Sequence, residues 1–152
     1  MKRIVAALDF SDTTPLVIAE AGKLARALNE TLYLVHVVEA EPVYTAYGFT
    51  ADEFPAMHEY QAEAAKRGQK RLDQAVEEMG AVGVVTKLLE GSPLFTLLEF
   101  VDEIEADMLI LGAHGHGWLG SLLLGSVAEG AIRRSKVPIM VVPAPKKKDK
   151  QE

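Results

Sequence analysis

At 152 residues, 49% hydrophobic and 25% charged, the chain is sized for one domain with a core of its own. A net charge of -6 argues against a general binder of nucleic acid or anionic membrane, and no apolar run reaches the ~20 residues of a bilayer span. The absence of cysteine excludes disulfides, thiol catalysis and zinc-thiolate sites. With the first apolar run stopping at Asp9, no secretory signal pattern is present, and a reducing cytoplasm is the expected setting.

"RIVAAL" (3–8) reads as a buried strand. "TTPLVIAEAGKLARALN" follows as a helix, with Thr14 placed to cap it and Pro15 at its first position. Val17, Ala21, Leu24 and Leu28 share its inner face. "TLYLVHVV" (31–38) is the second strand. The segment 39–55 carries Tyr44, Tyr47, Phe49 and Phe54 and is long for a connection. It suits a lid, a partner-recognition loop or packing against the next helix. That helix places Tyr60, Ala64, Gly68, Leu72, Ala75 and Met79 inward, and Gly80 ends it.

"VGVVTKLLE" (82–90) is the third strand. In "GSPLFTLLEFVDEIEA", Ser92 is the N-cap, Pro93 the first helical residue, and Phe95, Leu98, Val101 and Ile104 the core stripe. "DMLILG" (107–112) is a buried fourth strand. A helix from about Ser126 to Arg134 leads to the fifth, "VPIMVV" (137–142). The domain is expected over 1–144. Residues 145–152, with four Lys against one Asp and one Glu, read as a basic, disordered tail.

Strands alternating with helices imply a doubly wound α/β domain: a five-stranded parallel sheet, order 3-2-1-4-5, with helices on both faces. Ligands of such sheets bind at the carboxyl ends of the strands where the winding reverses, here between strands 1 and 4. Asp9-Phe10-Ser11 and Gly112-Ala113-His114-Gly115 should bound that crevice.

"GAHGHGWLGSLLLGS" (112–126) holds five of the chain's 12 glycines. Gly112 and Gly115 can shape a turn whose N–H groups form an anion nest, and Gly125-Ser126 opens a helix with unpaired N–H groups. Ser126 with Glu129 also has the spacing of a capping box. A phosphate-loop motif is excluded, because no Lys or Arg lies between Lys87 and Arg133. "LDFSD" stands where a dinucleotide fingerprint would be. His114 and His116, without a carboxylate partner, are weak grounds for a metal site.

Gly112-x-x-Gly115, nine residues, then Gly125-Ser126 resembles the G-x2-G-x9-G-[ST] motif of ATP-binding universal stress proteins. "IVAALDFSD", "GSPLFTLLEFVDEIEADMLILGAHG" and "VPIMVVP" are similar to that family as well, so the resemblance runs to Pro143. It implies that Asp9 contacts the nucleotide and that Ala7, Leu8 and Val38 line the adenine and ribose pocket. Leu111, Gly112, His114 and Gly115 would wrap ribose and phosphates; Gly125, Ser126 and Val127 would start the phosphate-binding helix. Ala128 stands where some members carry a hydroxyl, which removes one phosphate contact. Plainer roles remain for several of these residues: Asp9 as a turn cap, His114 as a brace of the glycine turn, and Ala7, Leu8 and Val38 as core.

With no cation in the loop, phosphate charge falls to backbone N–H groups, the helix end and Mg2+ or Mn2+ bound through the phosphates. The family implies ATP, or ADP or AMP, as ligand of a nucleotide-responsive stress regulator; the loop's lack of a cation and of a general base implies slow or no hydrolysis. It also implies a homodimer through the edge strand Val137 to Val142. Trp118 and Leu119 are a candidate surface for an unidentified protein partner. Gly117 and Gly120 fall outside the motif and let the intervening loop bend. The rival readings are a nucleotide-independent interaction module and an adenine-nucleotide hydrolase or transferase, the latter lacking an identifiable nucleophile or base.

Overall fold

Side chains along a strand alternate between the two faces of a sheet, and in this chain both sets are apolar. Ile4, Ala6, Leu32, Leu34 and Ile110 point to one face, while Val5, Val35, Leu109 and Leu111 point to the other. A sheet greasy on both faces must be covered on both, which is the condition for a parallel sheet with helical crossovers.

The computed structural model describes residues 2–39, 55–114 and 124–145. In chain order it contains β1 (Arg3–Ala7), α1 (Thr14–Leu28), β2 (Thr31–Val38), α2 (Pro55–Met79), β3 (Val84–Glu90), α3 (Pro93–Glu103), β4 (Met108–Gly112), α4 (Ser126–Arg134) and β5 (Ile139–Val142). The sheet has the expected order β3-β2-β1-β4-β5, with all four pairings parallel. Val17, Ala21 and Ala25 of α1 and Leu72 and Ala75 of α2 cover the first face. Leu97, Phe100 and Val101 of α3 and Ala128 and Ala131 of α4 cover the second. The chain leaves β1 toward β2 and β3, then crosses back to β4 and β5, so the crossovers diverge above β1 and β4. The crevice lies there.

Several sequence expectations need correction. Thr13, not Thr14, is the N-cap of α1, and it makes no side-chain cap bond. Thr14 instead turns its hydroxyl to Asp9 Oδ1 at 3.4 Å. Leu28 is half exposed, because the inner stripe of α1 runs through Val17, Ala21 and Ala25. Phe95 is 60% exposed. At 100° per residue it stands 200° from Leu97, the true inward residue, and the Arg134 guanidinium covers its ring at 5.6 Å. Ser126 is the first residue of α4 rather than its cap; Gly125 caps without a side-chain bond, and Glu129 pairs with Arg133. The capping box does not form.

Other signals hold. Ser92 and Pro93 sit at the cap and first position of α3, and Gly80 takes φ +57 just past α2, donating to the Val76 carbonyl at 3.2 Å. Strand β3 begins at Val84 rather than 82, since Val82 is fully exposed and Gly83 turns at φ +85. Tyr60 is 57% exposed instead of core. With 25 residues, α2 is about 37 Å long, against roughly 26 Å for the eight-residue β2, so its first turns overhang the strand ends. The segment 40–54, the loop with Trp118 and Leu119, and the tail from 146 lie outside the described residues.

Candidate functional site

A cleft of about 970 Å³ opens over the carboxyl ends of the central strands. It is built from five pieces: the end of β1, the end of β2, the start of α3, the turn after β4 with the start of α4, and one face of α2.

The β1 end supplies Ala7, Leu8, Asp9 and Phe10. Asp9 Oδ1 accepts from the Ser11 backbone N–H at 3.0 Å, an Asx turn, and from the Thr14 hydroxyl. Asp9 is therefore a turn cap and a cleft residue at once. Phe10 follows it with φ 58, a left-handed backbone that costs a bulky residue strain. Its ring lies against His36 of β2, with centroids 4.6 Å apart and planes at 50°. His36 Nδ1 is 2.7 Å from the Leu8 carbonyl oxygen, so Nδ1 carries the proton and donates. The strand ends of β1 and β2 are thus tied by side chains where their ladder runs out. Val38, buried, completes this wall.

The β4–α4 side is made of small residues for reasons of space. A Cβ on Gly112 would lie 3.0 Å from the Thr13 methyl, so glycine there lets the β1–α1 turn close against β4. The Gly125 N–H donates to the Ala113 carbonyl at 2.7 Å, joining the two halves of the glycine motif across the loop. The first intrahelical bond of α4 runs from the Glu129 N–H to the Gly125 carbonyl at 2.9 Å. The amides of Ser126, Val127 and Ala128 precede it and have no acceptor within the helix. These three residues line the cleft, and open amides at a helix start are donors of the kind that suits an anion.

Ala7, Leu8, Asp9, Val38, Leu111, Gly112, Gly125, Ser126 and Val127 all line the cleft. His114 does not line it, and its Nδ1 is buried. Gly115 and His116 lie outside the described residues. What sequence reading missed is the α2 wall: Tyr60, Ala64, Arg67, Gly68 and Arg71. The glycine loop contains no cation, yet the fold brings two arginines to the same cleft. Their only sequence signal is a stripe at 60, 64, 67, 68 and 71, one helical face that continues past the core residue Leu72. Among the described residues, no three of His, Asp and Glu come together to hold a metal ion.

The universal stress protein family model matches residues 1–143, and the chain belongs to that family. Universal stress protein MJ0531 of Methanocaldococcus jannaschii is 32% identical over 147 residues, covering 96% of this chain and 84% of its own. The solved structure of MJ0577 superposes with a TM-score of 0.76 at 26% identity, over 96% of this chain and 98% of that one. A universal stress protein solved in complex with cAMP matches at a TM-score of 0.63 and 25% identity, over 95% and 98%. Among the described residues, no helix is long and apolar enough to cross a membrane.

Proposed function

We propose that this chain is an adenine-nucleotide-binding universal stress protein, acting as a nucleotide-responsive regulator in the cytoplasm. The observation that carries the reading is a juxtaposition. Three amides of the first turn of α4 and the Asp9 turn face one cleft at the winding-reversal point of the sheet. Phosphates sit at Ser126 and Val127, and Gly112 allows close approach. Asp9 meets the ribose side, and Ala7, Leu8, Val38 and Leu111 pack the nucleoside. His114 acts from behind the turn after β4, and Gly115 is assigned to the same phosphate site. A relative solved with cAMP, itself an adenine nucleotide, supports this choice of ligand.

The donor set fits a nucleotide: open helix amides for the anion, apolar strand ends for the base. Mg2+ or Mn2+ accompanies ATP on its phosphates, because no protein cluster among the described residues would hold an ion alone. The α4 side of the cleft offers no lysine or arginine to stabilise phosphoryl transfer, so hydrolysis is slow or absent. The edge strand β5, with Ile139, Met140 and Val141 half-buried, pairs with a second copy to form a homodimer. The domain is the unit 1–144, and the basic sequence 145–152 is not counted in it.

Mass spectrometry of small molecules released from the purified, denatured protein tests the reading. An adenine nucleotide is expected, and ATP at 100 times its Kd should stabilise the fold by about 2.7 kcal/mol. Release of nothing, with no ATP-dependent rise in Tm, leaves the nucleotide-independent interaction module. Light scattering at micromolar concentration should report a dimer; a monomer would remove the β5 assignment.

A further inference from the structure

We propose that Arg71 selects the base of the bound nucleotide by laying its guanidinium plane against it, giving a preference for purines over pyrimidines. This rests on the nucleotide reading above. The phosphate donors belong to α4, on one face of the sheet, while α2 covers the other face and closes the far side of the cleft. A nucleotide anchored by its phosphates at Ser126 and Val127 therefore directs its base toward β2 and α2.

What it meets there is a supported plane. The Arg71 guanidinium carbon lies 5.2 Å from the Phe10 ring centroid. Phe10 rests in turn on His36, and His36 is bonded to the Leu8 carbonyl. The stack is thus fastened to the end of β1, and the left-handed backbone of Phe10 turns its ring into this position. With His36 and Arg71 against it, the ring of Phe10 is occupied by the protein's own groups. Arg71 is exposed and lines the cleft as well as the smaller cavity between α1 and α2, which leaves its guanidinium plane open to a ligand at this level.

Two further observations favour a ligand role over a purely structural one. Among the described residues Arg71 has no carboxylate partner, whereas neighbouring Lys66 pairs with Glu63. And α2 is drawn close to the strands because Gly68 has no side chain. A Cβ there would stand 2.9 Å from Leu88 Cδ1 and 3.0 Å from His36 Cδ2. This brings Arg71, less than one turn further on, within the cleft. A guanidinium stacks on bases as an ammonium does not, and a purine offers it more surface than a pyrimidine.

The test uses that difference between plane and charge. ATP, CTP and inorganic tripolyphosphate are titrated by calorimetry into the full chain and its Arg71→Lys and Arg71→Ala variants. Stacking predicts that the wild type prefers ATP to CTP by about 10-fold, and that both variants lose most of this preference. Tripolyphosphate affinity should stay unchanged in Arg71→Lys. If Arg71→Lys keeps the preference while Arg71→Ala loses it, Arg71 acts as a charge and the stacking proposal is overturned. It is equally overturned if both variants lose ATP and CTP in proportion, or if neither changes. A wild type that binds tripolyphosphate but no nucleotide overturns the nucleotide reading itself, a distinct outcome.

Discussion

The two walls of the cleft are built on opposite principles. The β4–α4 wall works with backbone: small residues remove side chains, and amides left over at a helix start face the cavity. The α2 wall works with side chains: two arginines and a tyrosine on a long helix that overhangs the strands, set beside the Phe10–His36 stack at the ends of β1 and β2. A backbone site needs particular residues at fixed spacing, because any Cβ can fill it. A side-chain wall needs only that a helix present the right face. The first leaves a motif in the sequence and the second leaves none.

Substitutions should separate the walls by the size of their effects. The largest is expected from Gly125→Val. Gly125 has φ -62 and ψ 158, a backbone any residue adopts, so the fold should survive while the side chain intrudes beside the α4 amides. Losing two amide–phosphate bonds of about 1.5 kcal/mol each weakens ATP at least 100-fold by calorimetry, with circular dichroism unchanged. Retained affinity would place the phosphates elsewhere.

Gly68→Ala comes next and acts on the other wall through packing. Its Cβ must displace Leu88 or His36, which should cost about 1–3 kcal/mol in denaturant unfolding. Unchanged stability would mean that α2 moves outward without resistance. Asp9→Asn should be milder in stability, about 1 kcal/mol, since the amide oxygen still accepts from Ser11 N–H. Its affinity loss should exceed its stability loss; the reverse would make Asp9 chiefly a turn cap. Arg67→Gln should be smallest, an exposed charge contributing about 0.5 kcal/mol to ATP affinity and nothing measurable in high salt. A loss that persists at high salt would make Arg67 a direct ligand contact.

The fold was legible because alternation of apolar segments, with Pro93 and Gly80 as punctuation, specifies parallel crossovers whatever the detail. On the glycine wall, Gly112 stands out in the sequence because a Cβ there would meet the Thr13 methyl at 3.0 Å. Three things were not legible. Phe95 looks like core until the phase of α3 is known, and that phase is set by Leu97 and Phe100 against the sheet. Ser126 carries a capping-box pattern, but Gly125 is held by the Ala113 carbonyl and takes the cap position. Arg67 and Arg71 are ordinary solvent residues on paper; only the length of α2 and the close approach at Gly68 make them part of the cleft.

Whether this cleft binds an adenine nucleotide is decided by a calorimetric titration of ATP into the wild-type chain. One saturable site per chain with Kd below ~1 mM is the predicted result. No heat of binding at millimolar ATP, with or without Mg2+, would contradict it.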